Sequence, residues 1–427
     1  MVKADIMTHK FEIQPIGRFT GKSAAIKRPK EIACFSYDDK HQFRLDDSSI
    51  RYYYPPTIGA DLSRGYDTFE KLDDAADDHL DSLLKAIMAL EQETGKRVET
   101  DIITWRGMMT KFMAAIFSDR DGFEMNATLF QDTMYYSSVI CESNLLKPGR
   151  FIEENHEYKR QSQARQSRQQ TNPGRPSQDM MSFWGYKFET LCLLPATWDE
   201  TTRDYIENRE NEIVNNHAQY CSVVKTGIGD TVMVLGGEVD AIWDSKPSNG
   251  GPTNWVELKT SADIRHDGDM LNFERKLMKF WIQSFLLGVP KIIVGFRTQD
   301  GFLKRVEEMD TASIPGTVKR RGKGTWDGNM CINFASRLLE FLKSTVTEDG
   351  VWRIRRKERS STIEVFRIEE AGHGDVLSDD FINWRIKLAL TNPVPIPIPA
   401  QAPTPILPVA ATSPPEPAVP THYAVGL

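Results

Sequence analysis

The stretch Gly236-Gly237-Glu238-Val239-Asp240-Ala241-Ile242-Trp243, followed beyond a turn-rich link by Asn254-Trp255-Val256-Glu257-Leu258-Lys259-Thr260, decides how this chain folds. Apolar and charged residues alternate in both pieces, the period of a strand, so side chains at i and i+2 share a face. Glu238 and Asp240 then point one way, as do Glu257 and Lys259, while Val239 and Leu258 turn toward a core. The link contains Lys246-Pro247-Ser248-Asn249-Gly250-Gly251-Pro252. That is turn chemistry, and it predicts an antiparallel pair that sets Asp240 beside Glu257. Carboxylates crowded together repel unless protons or a cation neutralise them, and an all-oxygen set suits Mg²⁺ or Mn²⁺ rather than zinc.

An Asp followed by Glu-x-Lys on the next strand is the core pattern of D-(D/E)xK nucleases, in which carboxylates hold metal and the lysine positions or activates water at phosphorus. Glu257-Leu258-Lys259 alone also describes many solvent-facing strands; Glu238-Val239-Asp240 just upstream gives the pattern its weight. A third acid, Glu189, ends Phe183-Trp184-Gly185-Tyr186-Lys187-Phe188-Glu189, which opens a helix running toward Pro195. Its plain alternative is a solvated helix glutamate. Glu189, Glu238, Asp240, Glu257 and Lys259 are therefore the candidate catalytic residues.

Working outward, Leu277, Met278, Trp281, Phe285 and Leu286 recur at helical spacing within Leu271–Leu287, and Gly288 with Pro290 supplies a stop. Lys276, Lys279 and Gln283 share one face of that helix. Packed behind the carboxylate strands, the helix would let Gln283 reach a metal water or a substrate phosphate; otherwise the stripe is merely solvated. Ile102 to Trp105 reads as a strand and Met108 to Phe117 as a helix. Between them Trp105-Arg106-Gly107 offers a basic side chain at a strand end, suited to phosphate. Leu72, Ala76, Leu80, Leu83, Leu84, Ile87 and Leu90 predict a surface helix from about Thr68 to Gln92. The N-terminal part, Phe11 to Pro56, predicts a β element closing on Arg51-Tyr52-Tyr53-Tyr54-Pro55-Pro56. The polar run from Asn155 to Gln178 reads as a mobile loop.

The expected architecture is α+β, with mixed β-sheets flanked by helices around a D-(D/E)xK nuclease-like core. A single domain over residues 1–390 precedes a proline-rich tail, 391–427. That tail holds 11 of the 23 prolines, from Pro393 to Pro420, a composition that favours extended polyproline over packing. The 427 residues, 40% hydrophobic, suffice for a sizeable core. No apolar run approaches the roughly 18 to 20 residues of a membrane helix, and no signal peptide opens the sequence, so a soluble intracellular chain is expected. Five scattered cysteines suggest neither a disulfide framework nor a zinc knuckle. A net charge of −7 disfavours gripping long nucleic acid through a basic surface but leaves room for a pocket that takes an RNA end.

Trp105-Arg106-Gly107, Gly185-Tyr186-Lys187-Phe188-Glu189, Glu238-Val239-Asp240, Glu257-Leu258-Lys259 and Gln283-Ser284 occur in the order of the motif set of the DXO decapping exoribonuclease family, which the chain resembles from Phe11 to about Arg385. The Arg51-Tyr52-Tyr53-Tyr54-Pro55-Pro56 block and Asp379-Asp380-Phe381-Ile382-Asn383-Trp384-Arg385 look like its fungal nuclear Rai-one branch, companion of the Rat-one 5′→3′ exoribonuclease. The resemblance implies metal held by Glu189, Asp240, Glu257 and the Leu258 carbonyl, with Glu238 assisting a second ion or the substrate. It implies that Lys259 and Gln283 orient the scissile phosphate. Arg51, Trp105, Arg106, Gly107 and Cys221 would serve the RNA pocket, as would Asp78, where the family prefers Glu. Cys221 is an ordinary small core residue on physical grounds, and only the resemblance singles it out.

The implied activities are removal of pyrophosphate from 5′-triphosphate RNA, of incompletely methylated caps and of NAD caps, in nuclear RNA quality control and in support of the exoribonuclease. The 155–178 insert and the tail depart from the family and carry no transferred role. Two other readings stand beside this one: a mainly non-catalytic stabilising partner of the exoribonuclease, and a D-(D/E)xK DNA endonuclease, which the low basic content disfavours.

Overall fold

Asp240 and Glu257 do come side by side, because the link after Trp243 brings Ala241 opposite Val256 and Ile242 opposite Trp255 in an antiparallel pair. The computed structural model describes residues 7–73, 77, 79–130, 148–169, 176–248 and 251–391. In chain order the strands are β1 (Thr8–Glu12), β2 (Ile26–Tyr37), β3 (Phe43–Arg44), β4 (Tyr52–Tyr53), β5 (Ile102–Trp105), β6 (Phe123–Phe130), β7 (Gly149–Glu154) and β8 (Leu193–Leu194). They continue with β9 (Gln219–Ile228), β10 (Thr231–Glu238), β11 (Ala241–Ile242), β12 (Trp255–Ala262), β13 (Lys291–Arg297), β14 (Leu303–Asp310), β15 (Val351–Arg356) and β16 (Thr362–Glu369). The helices are α1 (Asp81–Thr94), α2 (Arg106–Ala114), α3 (His156–Gln169), α4 (Gln178–Cys192), α5 (Arg203–Asn208), α6 (Asp267–Leu287), α7 (Ile314–Arg321), α8 (Gly328–Thr345) and α9 (Asp379–Thr391).

The strands form two mixed sheets. A ten-stranded one runs β1-β16-β15-β6-β7-β5-β10-β9-β2-β3, and a six-stranded one runs β14-β13-β12-β11-β4-β8. β12 and β13 are parallel, so the chain needs a crossover between them, and α6 supplies it. One apolar core joins α2, α6 and α8 to residues of both sheets, among them Met233 and Leu235 of β10 and Ile292 and Val294 of β13. A second gathers Leu83, Leu84 and Ile87 of α1 with Phe381 of α9 and Val234 of β10. A third sets Phe183, Trp184 and Phe188 of α4 against Val256 and Leu258 of β12. The chain to Thr391 forms one compact unit.

Four expectations change. The stretch from Gly236 to Trp243 is two strands in two sheets, β10 and β11. Its register with β9 ends where Glu238 faces Cys221, and Ile242 N–H then donates to the Arg51 carbonyl, so different partners draw the two halves apart. The 155–178 stretch is not a loop as far as Gln169: α3 occupies His156–Gln169. Its Gln, Arg, Glu and Ala residues favour helix even where they cannot build a core. Asn155 Oδ1 accepts the Tyr158 N–H at its start, and Gln161 reaches Glu157 one turn back. The helix expected from Thr68 begins only at Asp81. Before it, Leu72 N–H is taken by Asn216 Oδ1, and aspartates replace good helix formers. Finally, α4 opens at Gln178 rather than Phe183, because Ser177 caps it by accepting the Met180 N–H. Asp78 and residues 392–427, which include the proline-rich run, lie outside the described residues.

Candidate active site

The site lies where the chain passes from one sheet to the other. Val239 and Asp240 make that crossing, so Glu238 arrives from the end of β10 and Asp240 from the start of β11. β12 crosses beside them with Glu257, which is fully buried, and Lys259, whose side chain is 22% exposed. Glu189 comes from the last turns of α4, which packs on β12, and is half-buried. Four acids from three separate segments thus meet, and two cations stand among them. Arg106 Nη1 donates to Glu257 Oε2 at 3.1 Å, and Lys259 Nζ sits 2.6 Å from Glu257 Oε1. Asp240 Oδ2 accepts the Leu258 N–H at 2.5 Å.

That last bond also orients a carbonyl. In an extended strand the N–H and C=O of one residue point to the same side. Leu258 aims its N–H at Asp240, so its C=O faces the same edge of β12, beyond the two residues that β11 covers.

Glycine makes the approach of these elements possible. A Cβ on Gly237 would stand 2.9 Å from Leu287 Cδ1 and 3.0 Å from Arg106 Cβ, so the backbone of β10 must be bare for Arg106 to reach Glu257. A Cβ on Gly295 would stand 2.5 Å from Phe188, the residue before Glu189.

Charge is unevenly shared. Burial pushes the Glu189 carboxyl well up, with Asp240 and Glu238 adding repulsion. Burial likewise raises Glu238, although Arg106 and Lys259 pull the other way. Asp240 is pushed up to about 7, by burial first and by Glu257 second. Burial opposes the charge on Glu257 too, but Arg106 and Lys259 outweigh it and hold that carboxyl below its ordinary range. Lys259 is raised: burial works against its charge, and Glu257 and Asp240 more than compensate. Of the four acids only Glu257 is favoured in its charged form, while burial raises the other three.

These oxygens do not form a closed ligand set as they stand. No three of the four acids bring donor atoms all within 4.8 Å of one another, since Glu257 is turned to its cations and Asp240 to the backbone. The donor chemistry still fits a hard divalent ion. All the donors are oxygen, Glu257 is buried and the other three acids are half-buried, and the two cations among them cannot balance four ionised acids.

The remaining candidates surround this cluster. Arg51 is half-buried, and its carbonyl accepts from Ile242 N–H beside Asp240. Cys221 is buried opposite Glu238. Trp105 directly precedes α2 and donates from Nε1 to the His79 carbonyl at 3.2 Å. The Arg106 guanidinium donates to Glu257. Gly107 and Gln283 line a groove of about 440 Å³ together with Lys111, Tyr158, Lys159 and Lys279. Gln283 makes no hydrogen bond to the carboxylates there. Reading α3 as a loop concealed Tyr158 and Lys159, and the pairing of Lys111 with Glu154 had no local signal.

A family model described as RAI1 like PD-(D/E)XK nuclease matches residues 27–382. The chain belongs to this family. Among curated RAI1 family members, the decapping nuclease RAI1 of Gibberella zeae is 60% identical over 385 residues, covering 90% of this chain and 98% of the relative. That of Emericella nidulans is 61% identical over 376 residues, covering 88% and 98%. Among solved structures, Candida albicans Rai1 in complex with pU5-Mn2+ matches with a TM-score of 0.77 and 30% identity, over 90% of this chain and 100% of that one. Scheffersomyces stipitis Rai1 in complex with (3'-NADP)+ and calcium ion matches with a TM-score of 0.76 and 29% identity, over 89% and 100%. The RAI1 family match and these neighbours agree with the mixed-sheet nuclease core described above. No helix among the described residues is long and apolar enough to cross a membrane.

Proposed function

We propose that this chain is a divalent-metal-dependent hydrolase acting on RNA 5′ ends, a decapping nuclease like its RAI1 relatives. The observation that carries the reading is the meeting of Glu189, Glu238, Asp240 and Glu257 with Lys259 and Arg106 at the junction of the two sheets. The relatives are decapping nucleases, and one solved neighbour holds pU5 with Mn2+. Glu189, Asp240, Glu257 and the Leu258 carbonyl would hold the ion, Mg²⁺ or Mn²⁺, with Glu238 on a second ion or the substrate. Such an ion supplies concentrated positive charge that polarises a phosphoryl oxygen and makes water easier to deprotonate.

The chain's own residues do the rest. Lys259, raised by its acidic neighbours, remains protonated and offers a fixed charge to the scissile phosphate. Arg106 is a positioning residue, because it keeps Glu257 ionised and in place. Gln283 would orient the scissile phosphate with Lys259, and Lys279, on the same groove wall and paired with Asp121, would guide the RNA strand leading away from the reacting end. Arg51, Asp78, Trp105, Gly107 and Cys221 complete the proposed pocket.

The finer reading is removal of pyrophosphate from triphosphate RNA, of incompletely methylated caps and of NAD caps, in the nucleus and in support of a Rat-one type exoribonuclease. It rests on the family resemblance, and the neighbour that binds a dinucleotide is consistent with an NAD-cap substrate. The test is a panel of triphosphate, capped, NAD-capped and monophosphate RNAs with Mg²⁺ or Mn²⁺. Hydrolysis of 5′ groups by the wild-type chain, lost in Asp240→Asn and Glu257→Gln, is expected. Equal activity in either variant overturns the reading.

A further inference from the structure

His79, Glu153 and His156 bring one donor atom each to within 4.8 Å of one another, the only such group of three or more among the described residues. They come from three places: the stretch before α1, the end of β7 and the start of α3. His79 Nδ1 lies 3.0 Å from Glu153 Oε2, and the two imidazoles meet edge to face with centroids 5.0 Å apart. Glu153 is only 1% exposed, yet its Oε1 makes no hydrogen bond of normal geometry. His156 Nε2 is also buried without a partner among the described residues. The imidazole nitrogen of His156, buried and unpaired beside a carboxylate whose burial His79 and Asn126 only partly offset, carries a desolvation cost that a bound cation would relieve.

We propose that His79, Glu153 and His156 form a second metal site, one for a zinc-type divalent ion, sharing no residue with the carboxylate cluster. Two imidazoles and one carboxylate are a borderline-soft set that suits zinc, whereas the all-oxygen cluster suits Mg²⁺ or Mn²⁺. The geometry is within reach. Tetrahedral zinc with bonds of about 2.1 Å keeps its donors roughly 3.4 Å apart, and the three donor atoms already stand within 4.8 Å of one another. Asp77, whose Oδ1 accepts from Arg160, lies 3.7 Å from His156 Nδ1, on the side of the ring away from Nε2. Three protein ligands leave a fourth position for water. His79, a quarter exposed, is the side from which the ion enters.

Bound there, the ion fastens the segment before α1 to β7 and α3. The His79 carbonyl receives the Trp105 Nε1–H, and Trp105 precedes Arg106, so the fastening bears on the backbone that holds Glu257's partner.

The test uses the full chain carrying Asp240→Asn and Glu257→Gln, which removes the carboxylate site from the count. The protein is stripped with a chelator, exposed to Zn²⁺, desalted and measured by inductively coupled plasma mass spectrometry. One zinc per chain is expected, falling to near none when His79→Ala and His156→Ala are added. His156→Gln alone, close in size and checked for native circular dichroism, must also lower the retained zinc. Absence of zinc from the carboxylate variant, or retention unchanged by the histidine substitutions, overturns the proposal and leaves the three residues as a hydrogen-bonded cluster. Neither outcome depends on the chain's activity toward RNA.

Discussion

Glu257 carries two cations while three neighbouring acids carry none of their own, and the chemistry of the site follows from that asymmetry. Replacing Arg106 with Gln leaves a buried carboxylate with Lys259 alone. Divalent-metal affinity should fall by about 10–100-fold, the usual cost of removing a ligand's supporting partner, as read by titration calorimetry. Proton competition sets the pH dependence. Asp240 is raised to about 7, and Glu189 and Glu238 are raised with it, so the folded chain binds more protons than the unfolded one between the ordinary carboxylate range and pH 7. Stability from these groups is therefore greatest at low pH and is lost as pH rises through that window. Added Mn²⁺, which must displace those protons, should raise the melting temperature more at pH 8 than at pH 6. An equal rise at both would mean that the acids do not meet the ion. At this scale the shared face of Glu238 and Asp240, and of Glu257 and Lys259, was legible from alternation, although Glu257-Leu258-Lys259 by itself fits many solvent-facing strands. The capture of Arg106 by Glu257 was not, because residues 106 and 257 meet only through the fold.

At the scale of elements, the site depends on how closely strand and helix approach. Gly237→Ala puts a methyl against Leu287 and Arg106, and Gly295→Ala drives one into Phe188. Each should destabilise the fold by about 1–3 kcal/mol, as overpacking does, with a matching loss of activity from displaced Arg106 or Glu189; thermal melts and turnover on one RNA substrate check both. Asn155→Ala removes the cap of α3 and should cost about 1 kcal/mol in denaturant unfolding. The period of two and the turn-rich link gave the β11–β12 pairing, register included. What the period could not give was the break at Val239, since a strand that changes sheets alternates just as one that does not. Nor could polarity separate a loop from α3, a helix whose polar surface needs only a cap and good helix formers.

The whole molecule places its catalytic candidates where the chain passes between two sheets, and holds its last described helix by a buried ion pair. α9 docks on α1 through Arg385, whose Nη2 lies 2.8 Å from Glu91 Oε1, with Trp384 Nε1 donating to the other oxygen. Both members of the ion pair are buried, so Arg385→Leu, which strands Glu91, should cost about 3–5 kcal/mol, measured by urea unfolding. Length and composition announced a sizeable globular core, and the order of motifs announced the family. The arrangement of two sheets about α2, α6 and α8 arises from contacts between distant segments that no local pattern records. The central claim is that the four acids converge on a hard divalent ion. Anomalous diffraction from Mn²⁺-soaked crystals tests it most directly: a manganese peak bounded by Glu189, Asp240, Glu257 and the Leu258 carbonyl is expected, and crystals in which those oxygens stay apart with no peak between them would contradict it.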